Sequence, residues 1–180
     1  MIICFEFSDQ IARNLGLDGL RIGRHILRND NGMKTGERWI QCFWYCLIQI
    51  RCETKAIITI VKPRDSNVCV AVFSLVNQHE LTDSVTSEVP AHEVMPDFDS
   101  IKLGTMTGTL SLDGITYSVG IESAALRSVI EFANPIDTHL LALEKTVLSV
   151  VRVLARATGK SFVSTFMNTL ELCIRERSKH

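Results

Sequence analysis

The chain contains no apolar run approaching the roughly 18–20 residues needed to span a bilayer, so any membrane role read from it is peripheral. It also has almost no net charge. Its 19 Lys and Arg against 20 Asp and Glu give −1 at pH 7, which leaves no global field to draw it to nucleic acid or an anionic membrane. Such contacts would have to come from a local patch. There is no internal repeat and no low-complexity tract. The opening Met-Ile-Ile-Cys-Phe-Glu lacks the basic and apolar regions of a secretory signal, so the expected location is cytoplasmic and reducing, with free thiols.

What is present is enough for one core. With 180 residues and 46% apolar content, the chain is expected to form a single domain over 1–180. Six cysteines stand at Cys4, Cys42, Cys46, Cys52, Cys69 and Cys173. Cys42, Cys46 and Cys52 share parity with Ile40, Trp44, Ile48 and Ile50 in what reads as a strand, so they read as small core residues rather than a disulfide framework.

Residues 8–29 read as helical, capped by Ser8, with Ile11, Leu15, Leu20, Ile26 and Leu27 at roughly helical spacing and a break near Gly16, Asp18 and Gly19. The second part of that segment gathers Arg21, Arg24, His25 and Arg28 on one side. Asn29 to Gly32 is a turn signal. Strands are expected over Trp39–Arg51, Ala56–Val61 and Val68–Val76, the last two joined by a hairpin connection at 62–67.

From Asn77 to Ser100 there are six acidic residues, Glu80, Asp83, Glu88, Glu93, Asp97 and Asp99, with no Lys or Arg and with Pro90 and Pro96. This reads as a long acidic loop. Residues 105–112 alternate, Asp113-Gly114 follows, and Ile115, Tyr117, Val119 and Ile121 alternate again, the pattern of a two-residue hairpin. A short helix is expected from Ser123 to about Ala133, stopped by Asn134-Pro135. Asp137 then caps a helix with the stripe Leu140, Leu143, Val147, Val150, Val151 and Leu154, ended by Gly159. A last helix from Ser161 carries Phe162, Phe166, Leu170 and Cys173 on one face and an i,i+4 pair, Glu171 with Arg175, on another. The expected fold class is therefore α+β: an antiparallel sheet of about five strands, helices packed on one face, an N-terminal helical segment and two C-terminal helices.

No catalytic constellation emerges. Gly159-Lys160-Ser161 resembles the end of a phosphate-binding loop, but Leu154 stands where the first glycine is required, and a helix precedes it instead of a strand. His79, Glu80, His92, Glu93, Asp97 and Asp99 are candidate metal ligands without a ligand spacing, and Pro96 forbids a zincin helix. There is no Gly-x-Ser-x-Gly, and the strand cysteines lie beside no charged helix terminus. The expectation is a non-enzymatic protein with no cofactor, no metal and no small-molecule substrate. The Arg21, Arg24, His25 and Arg28 face is the candidate site for an anionic partner, each arginine contributing on the order of 1 kcal/mol. The plainer reading is a solvated helix face. Trp39, Phe43, Trp44 and Tyr45 read as core or interface before base stacking.

The second half of the chain is similar to the matrix proteins of rhabdoviruses. Ile101 to Leu112 (IKLGTMTGTLSL) resembles one of their strands, Glu144-Lys145 opens an apolar helix at a comparable distance, and Ala157 to Val163 (ATGKSFV) resembles their segment after that helix. The aromatic strand from Phe43 to Ile50 has a rough counterpart upstream. The lysine-rich tail and proline-rich budding motif of the animal-virus members have no counterpart among these residues, and the length is closer to that of the plant-infecting members. The resemblance implies a viral structural protein that forms a homo-oligomer, packs against a nucleoprotein–RNA complex and touches an anionic membrane at its periphery, in the host cytoplasm and the virion. In that setting the 77–100 loop, with Glu80, Asp83, Glu88, Glu93, Asp97 and Asp99, is the expected self-association surface. Two other readings stay open. One is an intracellular adaptor or regulatory domain that never meets a membrane. The other is a small enzyme built from scattered residues such as His79, His92, Asp97 or Cys69.

Overall fold

The computed structural model of the chain describes residues 27–29, 32–35, 38–51, 54–77, 80–95, 114–123 and 127–177. Among these, eight strands and three helices follow in the order β1 (Leu27–Asn29), β2 (Gly32–Thr35), β3 (Arg38–Ile50), β4 (Thr54–Pro63), β5 (Val68–Asn77), β6 (Glu80–Pro90), α1 (Ala91–Val94), β7 (Ile115–Ser123), β8 (Arg127–Ala133), α2 (Thr138–Thr158) and α3 (Ser161–Arg177). All the strand pairings are antiparallel.

The 13-residue β3 organises the sheet. One of its edges pairs with β4; the other pairs with β2 near its start and with β7 over residues 42–50. The main sheet thus has six strands in the order β6-β5-β4-β3-β7-β8, and two C-terminal helices follow it. The α+β class, the strands over β3 to β5 and the two C-terminal helices agree with the sequence reading.

Three expectations change. Residues 27–29 do not continue a helix but pair with 32–34; the rest of the expected N-terminal helix lies outside the described residues. The acidic segment is not a loop over 80–94: it is strand β6 followed by the single turn α1. The β-branched Thr82, Val85, Thr86 and Val89 favour the extended chain, and acidic residues are tolerated because β6 pairs with one strand only among those described. Residues 127–133 form β8 instead of a helix. Their alternation explains it, since Ile130 and Phe132 are buried while Val129 and Glu131 are exposed. Both edges of β7 are taken, by β3 and β8; residues 105–112 of the hairpin expected on its N-terminal side lie outside the described residues.

The core lies between one sheet face and α2 with α3. Trp44, Cys46, Ile48 and Ile50 of β3 join Ile58, Ile60, Phe73, Val119 and Phe132 beneath Leu140, Leu143, Val147, Val151 and Leu154 of α2 and Val163, Phe166 and Leu170 of α3. Phe73 meets Phe166 edge-on at a centroid distance of 5.5 Å, a favoured aromatic geometry. Asp137 caps α2 by accepting from the backbone N–H of His139 at 2.8 Å, and Gly159 ends it at φ +60°, where a residue without Cβ is unstrained. The indole of Trp44 donates to the Val94 carbonyl at 2.9 Å and ties α1 to the central strand. The opposite sheet face is apolar too: Phe43, Ile57, Val61 and Val72 are buried outside the helix-covered cluster. On that side the Tyr45 ring lies over Gly120, the residue paired with it across β3 and β7.

One charge enters the core. Glu144, on the buried side of α2 and 3% exposed, accepts from the Tyr117 hydroxyl at 2.8 Å and from Arg177 Nη1 at 2.8 Å, with Arg177 Nη2 bound to its other oxygen. Burial foremost, then the neighbouring carboxylate, raise the Tyr117 phenol above its ordinary pKa, so it stays protonated and donates. The hydrogen bond to Glu144 raises the Arg177 guanidinium against the opposing effect of partial burial.

Removing Arg177 leaves an uncompensated buried carboxylate, so Arg177→Ala is expected to cost about 3 kcal/mol of stability. Urea denaturation should show it as a lower midpoint at an unchanged slope. Gly120→Ala would drive a Cβ into the Tyr45 ring and should cost about 1–3 kcal/mol in the same measurement.

Candidate interaction surfaces

The predicted anionic-partner site divides. Arg28 falls in β1, opposite Met33; Arg21, Arg24 and His25 lie outside the described residues. The predicted acidic surface is brought partly together. Glu80, Asp83 and Glu88 share β6, Glu93 sits on α1, and Asp97 and Asp99 lie outside the described residues. Asp83 and Glu88 are exposed. The pairings of β6 put them on opposite sides of the sheet: Asp83 opposes Leu75 on the helix side and Glu88 opposes Val70 on the other.

The sequence reading missed a basic surface. The exposed stripe of α2 runs Ala142, Lys145, Ser149, Arg152 and Arg156, with exposed Lys160 just beyond the helix. The one carboxylate of α2, Glu144, is buried on the far side. The signal was available: Lys145, Arg152 and Arg156 repeat at i, i+7 and i+11 opposite the apolar stripe. Arg152 pairs with Glu171 at 2.8 Å and Arg156 with Glu93 at 3.2 Å. Glu171 therefore meets Arg152 through its carboxylate; Arg175 donates instead to the Glu171 carbonyl at 3.4 Å, which revises the expected side-chain pair. Exposed ion pairs of this kind contribute roughly 0–1 kcal/mol and exchange readily for a partner's anionic group.

Among the described residues, two clefts bear on these surfaces. One, of about 490 Å³, lies along the stripe and is lined by Ser149, Arg152, Ala155, Arg156, Ser164 and Met167. The other, of about 480 Å³, is lined by Arg51, Gly114, Ile115, Asn134, Ile136, Cys173, Glu176 and Arg177. Both of its arginines are engaged, Arg51 with Glu176 at 2.8 Å and Arg177 with Glu144. Among the described residues, no group of three or more His, Cys, Asp or Glu could hold a metal ion, and no helix is long and apolar enough to cross a membrane.

Cys42, Cys46, Cys69 and Cys173 are free thiols. Burial pushes Cys46 well above its ordinary pKa and Cys69 up to about 11, where the nearby Cys42 adds and Lys62 opposes. Burial also raises the half-buried Cys42, with Lys62 opposing. A nucleophile needs a depressed pKa, and these shifts run the other way. What the fold and surfaces define is an α+β protein with exposed carboxylates on β6 and a basic stripe on α2. Compared with protein-family models, curated proteins and solved structures, the chain matches none of them.

In the folded protein, Cys69 should hold roughly a thousandth of its thiol as thiolate near pH 8, against about a quarter for a free cysteine. Iodoacetamide labelling followed by mass spectrometry is expected to modify Cys46 and Cys69 only slowly until denaturant is added.

Proposed function

We propose that this chain is a non-enzymatic structural protein of the viral matrix kind, one that self-associates and bridges a nucleocapsid to an anionic membrane. The observation that carries the reading is the separation of surface charge. Exposed Asp83 and Glu88 stand on β6, while Lys145, Arg152 and Arg156 line an exposed stripe of α2 that has no carboxylate of its own. A protein with near-zero net charge and exposed acidic and basic residues on separate elements offers its own copies complementary surfaces and a basic stripe to phosphate-bearing partners. The raised thiol pKa values weigh against cysteine nucleophiles. The resemblance of residues 101–112, 144–145 and 157–163 to matrix-protein segments supports the same reading from the sequence.

Contacts between exposed charges weaken as the screening length falls from about 10 Å at 0.1 M salt to about 3 Å at 1 M. Light scattering should therefore show a mass above the monomer at low salt, growing with concentration and falling at high salt. A strict monomer at every concentration sinks the proposal. Flotation with vesicles containing anionic lipid separates it from an adaptor with no membrane role: the matrix-like protein rises with the vesicles and the adaptor stays below.

A further inference from the structure

We infer that β6 is the docking edge for a second copy of this chain, the two β6 strands pairing antiparallel about a two-fold axis through Val85 so that the two sheets run on as one. This rests on the self-association proposed above and names its surface. β6 is eleven residues long, roughly 36 Å of extended chain, and among the described residues it pairs with β5 alone. Exposed Thr82, Asp83, Ser84, Thr86 and Glu88 leave it open on both sides of the sheet.

A long edge of unpaired backbone groups is a template for another strand. Charges and bulges normally guard such an edge, and β6 has both: Asp83 and Glu88, and a register shift against β5 between Leu75 and Val76. They select among partners. An axis through Val85 pairs the regular stretch from Asp83 to Ser87 with its copy, setting Asp83 against Ser87, so that this carboxylate does not meet another. Over residues 83–87 it also keeps odd positions, which face the helices, opposite odd ones, which holds the helices of both copies on one face of the joined sheet.

The charges then complement one another. Asp83, on the helix side, comes to the Pro90 end of the partner strand, which is the end where Arg156 of α2 reaches Glu93 of α1 and Arg152 stands one turn earlier. The two-fold axis makes the contact twice, as a self-complementary interface requires. Val85, half-buried in one copy, meets its own counterpart at the axis.

The test uses the full chain and sedimentation equilibrium at low salt. The native protein is expected to dimerise. Val85→Lys sets two ammonium groups face to face and should raise the dimer dissociation constant about tenfold or more, while Val129→Lys, on the opposite edge strand β8, should leave it unchanged. Asp83→Arg and Arg156→Asp should each weaken the dimer, and the two together should recover it. Asp83 and Arg156 are exposed, so the charge exchange reads the interface even if Val85→Lys perturbs folding, which circular dichroism would register. A dimer indifferent to both Val85→Lys and the charge exchange overturns this docking edge and leaves self-association standing. A native protein that stays monomeric throughout overturns both.

Discussion

Glu144 takes a negative charge into the layer between helices and sheet, and the rest of the structure is arranged around making that tolerable. A carboxylate so placed costs several kcal/mol unless its oxygens are paired. Tyr117 of β7 and Arg177 at the end of α3 pair them, so one residue of α2 holds a strand and a second helix in fixed relation. The apolar stripes of α2 and α3 would pack on the sheet at many small offsets at similar cost. The bidentate Arg177 contact admits few, because the guanidinium meets the carboxylate in one plane.

With the helices held on one face, the surface charges follow. The side of α2 away from Glu144 becomes the exposed Lys145, Arg152 and Arg156 stripe. Among the described residues, the sheet ends at β6 on one side and at β8 on the other. Arg156 pairs with Glu93 across the boundary between helix layer and edge, so the acidic and basic surfaces adjoin there through an ion pair. That adjacency gives a two-fold contact its chemistry, and it exists because the helix and the edge strand meet at the short turn α1.

Much of this was legible in the residues. The even-numbered core of β3, the β-branched runs of β4 and β5, the Asp137 cap, the Gly159 terminator and the Leu140 to Leu154 stripe are local signals, set by backbone sterics and side-chain period. The errors were of one kind. Residues 80–90 read as a loop because acidic residues and a proline outweighed Thr82, Val85, Thr86 and Val89, although an edge strand accepts charge that a central strand would not. Residues 127–133 read as helical because a seven-residue strand shows too few periods to outweigh the helical context beyond it, and 27–29 were absorbed into the helical pattern before them.

Sequence by itself determined that the chain is α+β and that two C-terminal helices follow the sheet, since each depends on neighbours within about a turn or a strand. Only the tertiary structure decided that β7 lies between β3 and β8, that Glu144 is buried against Arg177 instead of solvated, and that acidic β6 is, among the described residues, a sheet edge beside a basic helix. These are pairings across tens of residues, and many partners satisfy the same local pattern. Which partner is taken is settled by how the whole core closes.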